Sequence, residues 1–176
     1  MLALVEAAKS ESYPASIDLV ISNRPDAAGL KKAASQGIAV MAIDHKRYKS
    51  RRQFEAALHQ ALKAADIELI CCAGFMRVLT PWFVEKWPNR LLNIHPSLLP
   101  KYKGLNTHQR VLESNDTQHG CTVHWVTAEL DGGDIIAQAS LGIEDGDTPT
   151  LLAEKILPLE LTLYPQALEQ VAAKIT

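Results

Sequence analysis

No stretch of this 176-residue chain approaches the ~20 consecutive apolar residues that a membrane-spanning helix needs. The opening residues Met1-Leu2-Ala3-Leu4-Val5-Glu6-Ala7-Ala8-Lys9 lack the basic region and cleavage site of a secretory signal. Cysteine is scarce. Cys71, Cys72 and Cys121 form no CxxC pair and read as buried, reduced thiols. A formal net charge of -2 provides no broad attraction to nucleic acid, although a local cluster of Lys and Arg can still hold a small anion. His95, His108, His119 and His124 form no HExxH, and no His/Cys set has zinc-site spacing. GxGxxG and GxxxxGK[ST] are missing too, which removes the main support for dinucleotide and P-loop readings. There is no repeat, low-complexity tract or interdomain linker. These absences predict a cytoplasmic protein of one domain over residues 1–176, with no metal and neither nucleic acid nor membrane as partner.

What is present is the balance of a globular protein, 47% apolar and 22% charged. Strand-length apolar runs alternate with helix-period segments. Strands are predicted at 17–21, 38–43, 69–73 and 91–94, and two more β-rich runs at 121–127 and 135–141. Helices are predicted at 1–9, 27–36 with Gly37 as its stop, 50–64 behind a Ser50/Gln53 capping box, and 107–114. Thr80-Pro81 reads as a cap followed by the first residue of another helix. Thr148-Pro149 opens a helical tail, with a kink expected at Pro158 and a restart at Pro165. His45 and His59 are expected on the surface. The alternation predicts an α/β fold: an open, mostly parallel, Rossmann-like sheet with helices on both faces. Ligands in such sheets sit in loops after the carboxyl ends of strands, here after Ala73, Ile94 and Thr127. The chain opens on a helix with no strand before it. A βαβ fold that begins on its crossover helix is expected to have lost a strand.

The densest chemical signal is Asn93-Ile94-His95-Pro96-Ser97-Leu98-Leu99-Pro100. Side chains on a strand alternate faces, so Asn93 and His95 project to one side and Ile94 into the core. An amide can stabilise charge developing on a carbonyl oxygen, and an imidazole can move protons near neutral pH. That suits acyl or formyl transfer; a solvated polar strand end fits the pair alone equally well. Asp131, in Glu129-Leu130-Asp131-Gly132-Gly133-Asp134, would orient His95 and favour its charged form, its glycines allowing close backbone approach. An ordinary turn aspartate is the alternative. Gly74-Phe75-Met76-Arg77-Val78-Leu79 could line an apolar slot for a flat ring or simply be core. Arg51 and Arg52 at a helix N-terminus oppose the dipole, which hints at an anion to bind or marks a solvated pair.

Together, Ser22-Asn23-Arg24-Pro25-Asp26-Ala27, Ala73-Gly74-Phe75-Met76-Arg77, the run 91–102, His119-Gly120-Cys121-Thr122-Val123-His124 and Glu129-Leu130-Asp131-Gly132-Gly133 resemble the folate-dependent formyltransferases. Within them the match is to the glycinamide ribonucleotide branch of purine (IMP) synthesis. The resemblance implies 10-formyltetrahydrofolate as formyl donor, the amine of glycinamide ribonucleotide as acceptor, and a monomer or homodimer. It implies catalytic roles for Asn93, His95 and Asp131. A folate site is implied at Arg51, Met76, Arg77, Val78, Leu79, Asn93, Ala128 and Glu129, and ribonucleotide contacts at Ile94, Pro96 and Glu160.

Departures from the pattern carry expectations of their own. The family's first strand and phosphate loop have no counterpart, so Met1 is expected to be an internal methionine of a longer product. Asn106 stands where His is expected, and the tail ends at Thr176 without the family's usual final strands. The rival readings are a formyltetrahydrofolate hydrolase, a methionyl-tRNA formyltransferase and a folate-binding remnant. The first usually carries an added N-terminal domain, and the second a C-terminal nucleic-acid-binding domain with a basic balance.

Overall fold

The computed structural model describes residues 1–175. Four short strands carry the parallel part. β1 (Leu19–Ser22) pairs in parallel with β2 (Ala39–Ala42) through helix α2 (Ala28–Ala34). β3 (Ile70–Cys72) pairs in parallel with β4 (Leu91–His95) through α4 (Pro81–Lys86). Helix α3 (Arg51–Ala64) connects the two pairs. β5 (Gln118–Trp125) lies antiparallel to β4, and β6 (Ile135–Gly142) antiparallel to β5. A short turn joins β5 to β6, and such a link can connect only antiparallel neighbours.

The expected mostly parallel order therefore holds over the first four strands and gives way to a terminal hairpin. The strands also form two sheets, β1–β2 and β3–β4–β5–β6, instead of one. β1 and β3 are not paired; a cleft lies between them.

Local chemistry explains most of the boundaries. Gly37 is left-handed at φ 80, and the amides of Gly37 and Ile38 donate to the carbonyls of Ala34 and Ala33, closing α2 in a Schellman turn. Ser50 caps α3 by accepting from the Gln53 amide at 3.2 Å. The return bond of the box comes from Lys49, one residue earlier than expected. Thr80 does not use its side chain as a cap. Its hydroxyl and amide both donate to the buried carboxylate of Glu55 on α3, tying α3 to the start of α4.

Helices α1 (Leu2–Ala7) and α6 (Pro149–Ala172) cover one face of the larger sheet. There Leu4, Ile156, Leu163, Tyr164 and Leu168 pack on Leu92, Cys121 and Val123. On the other face, Leu62, Leu79, Phe83, Trp87 and Leu91 form a second cluster. Leu91 and Leu92 thus point to opposite sides and are both fully buried, which explains the unbroken apolar start of β4.

Helix α6 corrects the expected restart: Pro158 and Pro165 both lie inside one helical element. Each proline removes one backbone donor, while Ile156, Leu163, Tyr164, Ala167 and Leu168 stay buried along the same helix. The Pro165 carbonyl is also held, accepting from the Tyr13 hydroxyl at 2.6 Å.

Burial pushes the Cys71 thiol up to about 11 and those of Cys72 and Cys121 to about 12, as expected of unreactive thiols. His45 and His59 were expected at the surface and are half-buried. His45 bonds to Asn23, and His59 sits against the edges of Trp82 and Trp87.

Candidate active site

β4 aims its odd residues at the α3/α4 side of the sheet. Leu91 ends in that core, while Asn93 and His95, two and four residues on, reach the strand's carboxyl end. Ile94 faces the α6 side and packs in that core, so only its main chain is available to a ligand.

The turn between β5 and β6 brings Asp131 to this edge. The carboxylate is 9% exposed, with Oδ2 3.5 Å from His95 Nδ1 and Oδ1 3.7 Å from His124 Nε2. Oδ2 also accepts the Gly104 amide at 2.8 Å. Asp131 is left-handed, at φ 48, a region that Asp tolerates better than most residues. Gly133 permits the tight approach: a Cβ there would lie 1.9 Å from the Trp125 carbonyl oxygen.

His95 is 6% exposed, and its Nε2–H donates to the Tyr102 carbonyl at 3.0 Å. That carbonyl is placed by a knot under the loop 96–106. Ser97 donates to the Lys101 carbonyl (2.7 Å), Thr122 donates to the Ser97 carbonyl (2.6 Å), and Gln138 donates to the Leu99 carbonyl (2.9 Å). Ser97 and Thr122 are fully buried, so these hydroxyls satisfy a loop that would otherwise bury bare carbonyls. With Nε2 engaged, Nδ1 is the ring nitrogen left to face a substrate. Its distance to Asp131 is that of an ion pair and longer than a hydrogen bond.

His124 received no role from the sequence and belongs to the cluster. It is 2% exposed, and its Nδ1–H donates to the Trp125 carbonyl at 2.8 Å. Its Nε2 is therefore the acceptor, 3.2 Å from Asn93 Nδ2. Burial, the largest influence, pushes the imidazole below its ordinary value and favours this neutral form. The bond fixes the orientation of the Asn93 amide and uses one of its two N–H donors. No local pattern could have flagged the residue, since His124 meets Asn93 only through the register of the β4–β5 ladder.

The remaining predicted residues surround this cluster unevenly. Met76 and Val78 are 77% and 50% exposed, so neither is core, whereas Leu79 is buried in the α3/α4 cluster. Arg77 lies 5.9 Å from the Phe54 ring. Arg52 stacks on Trp82 at 3.1 Å, which offsets its position at the N-terminus of α3. Arg51 is exposed, and its side chain has no ion pair among the described residues. Ala128 and Glu129 are exposed on the Asp131 turn, and Glu129 pairs with Lys103 at 2.7 Å. Pro96 follows β4 directly and is half-buried. Glu160 is on α6, away from the hydrogen bonds of this cluster, and burial raises its carboxyl while the nearby N-terminal ammonium lowers it. Asn106 is exposed at φ 58, a conformation Asn tolerates, and does not cap α5 (Thr107–Leu112) with its side chain. Among the described residues, no group of His, Cys, Asp and Glu could hold a metal ion.

An α/β edge bearing an oriented amide, a buried imidazole and a carboxylate behind it has the groups that stabilise a developing oxyanion and move a proton, as acyl or formyl transfer requires. The formyl transferase family model matches residues 1–168, and the chain belongs to that family. It is 40% identical over 163 residues to the phosphoribosylglycinamide formyltransferase of Escherichia coli (strain K12), covering 93% of this chain and 77% of that protein. The human trifunctional purine biosynthetic protein adenosine-3 is 44% identical over 171 residues; the match spans 97% of this chain and 17% of that much longer protein. Among solved structures, the phosphoribosylglycinamide formyltransferase from Brucella melitensis superposes with a TM-score of 0.93 at 44% identity, covering 97% of this chain and 88% of that one.

Proposed function

We propose that this chain carries the phosphoribosylglycinamide formyltransferase activity of purine (IMP) synthesis, moving a formyl group from 10-formyltetrahydrofolate to the amine of glycinamide ribonucleotide. The observation that carries the reading is the Asn93–His95–Asp131 cluster at the carboxyl end of β4. Its partners are these two small molecules, it acts in the cytoplasm, and it works as a monomer or homodimer.

In this reading the acceptor amine attacks the formyl carbon, and the carbonyl oxygen takes up negative charge. The second Asn93 N–H and His95 Nδ1 would serve the oxygen on which that charge develops, and Asp131, 3.5 Å from Nδ1, would orient the ring. Collapse breaks the bond to N10 of the folate. The attacking nitrogen loses a proton and N10 gains one, with His95 serving the transfer. Burial of His95 keeps water from competing for the formyl group.

Arg51, Met76, Arg77, Val78, Leu79, Ala128 and Glu129 would border the folate, the exposed Met76 and Val78 supplying its apolar contact. The main chain of Ile94, together with Pro96 and Glu160, would face the ribonucleotide.

The test is folate product formation followed by absorbance, with and without glycinamide ribonucleotide. Acceptor-dependent turnover is expected. Equal consumption without the acceptor would overturn the reading in favour of hydrolysis.

A further inference from the structure

The segment that leaves β3 at Gly74 reaches α4 with little to hold it. Among the described residues, 75–79 make no hydrogen bond. Met76 and Val78 are exposed, while Leu79 is buried in the α3/α4 cluster and Phe75 packs beside it. The first polar anchor is Thr80, and it reaches back to Glu55 on α3.

Glu55 is 1% exposed, and no cation pairs with it among the described residues. Its carboxylate accepts the Thr80 amide at 2.8 Å and the Thr80 hydroxyl as well. Taking a lone carboxylate out of water is costly, and an apolar contact between two helices comes without that cost. Thr80 sits at the N-cap of α4, yet its side chain does not cap that helix. Each residue forgoes a more favourable local arrangement. The result is a main chain fixed in direction at the end of the 75–79 loop.

The neighbours of Glu55 serve the same segment. Phe54 is buried, and its ring lies 5.9 Å from the Arg77 guanidinium. Arg51, four residues before Glu55, stands one turn away on the same face of α3. It is exposed, without an ion pair among the described residues. The first turns of α3 therefore carry an exposed cation at their open end and hold the loop through two buried residues.

We propose that Glu55 is a positioning residue for the folate: through Thr80 it sets the loop bearing Met76, Arg77 and Val78 against Arg51. It touches no ligand itself. The proposal rests on the reading above, in which Arg51 and this loop border the folate. A ligand gripped from two elements loses affinity when one of them is free to shift, because binding must then supply the ordering.

The test is titration calorimetry of the full chain with tetrahydrofolate, kept reduced, beside urea midpoints for stability. Glu55→Ala removes both acceptors and should weaken tetrahydrofolate binding by about tenfold or more. Glu55→Gln can rebuild both bonds, its carbonyl accepting the Thr80 amide and its NH2 donating to the hydroxyl, and should bind as the unaltered chain does. Leu152→Ala, at a fully buried position on α6, is the comparison for simple loss of stability. It should lower the urea midpoint and leave the affinity unchanged. Thr80→Val and Thr80→Ser repeat the comparison from the other partner, and carry it if Glu55→Ala does not fold. Weaker binding is expected in the first and unchanged binding in the second. Unchanged affinity in Glu55→Ala, or in Thr80→Val where that variant carries the test, would overturn the proposal alone. So would equal weakening in Leu152→Ala, which would make the effect one of stability. No binding by the unaltered chain would overturn the folate reading itself, and the proposal with it.

Discussion

Asn93 and His124 form a donor–acceptor pair whose direction is set by one carbonyl. Because Nδ1–H of His124 is committed to Trp125, its Nε2 can only accept, and the Asn93 amide has one orientation that satisfies it. Asn93→Ala and His95→Ala should each lower kcat by about 10²–10³ in the acceptor-dependent assay, with circular dichroism unchanged, because each removes a group aimed at the developing oxyanion. His124→Leu should act through Asn93. A drop in kcat of about tenfold with little change in KM is expected, the size of one lost hydrogen bond in the transition state. An equal loss in the double variant Asn93→Ala/His124→Leu and in Asn93→Ala alone would show that the two act as a unit. Asn93 and His95 were legible in the sequence because a strand puts i and i+2 on one face. His124 was not, since its partner is 31 positions away and only the β4–β5 register brings them together.

At the scale of elements, two features hold the edge in place. Tyr164 of α6 is fully enclosed, and its hydroxyl lies 3.0 Å from the Cys72 carbonyl and 3.1 Å from that of Leu92, pinning α6 to both β3 and β4. Tyr164→Phe should cost about 1 kcal/mol, read as a lower urea midpoint at constant m-value. The β5–β6 turn depends on Gly133, where a Cβ would collide with main chain and not with a movable side chain. Gly133→Ala should therefore displace the turn and Asp131 with it. We expect a fall in kcat of about tenfold or more, seen beside a modest loss of stability. The sequence announced this turn through Leu130-Asp131-Gly132-Gly133, but the unbroken path of α6 through Pro158 and Pro165 was hidden. Local rules count the missing donors; the burial that outweighs them comes from residues on α1, β5 and β6.

At the scale of the whole molecule, the buried His119, bonded to the half-buried His108 at 2.8 Å, makes stability depend on pH. Burial first, then the neighbouring His108 and His95, pushes His119 down to about 4 from an ordinary value near 6.5. The folded protein thus resists a proton that the unfolded chain accepts. Stability should be complete above pH ~6.5 and fall progressively toward pH 4. Urea midpoints measured across that window should decline less steeply in His119→Gln, which cannot titrate there. A parallel decline in the variant would place the acid sensitivity elsewhere.

What the sequence determined by itself was local in origin. Alternation of apolar runs marked the α/β class, Gly37 and Ser50 marked helix ends, and the period of two put Asn93 and His95 together. The tertiary structure alone decided the rest. It turned β5 and β6 antiparallel, brought Asp131 and His124 to the edge of β4, and exposed Met76 while burying Leu79. Those outcomes depend on contacts between residues far apart in the chain, and strand order and register carry no imprint in the short-range pattern of side chains.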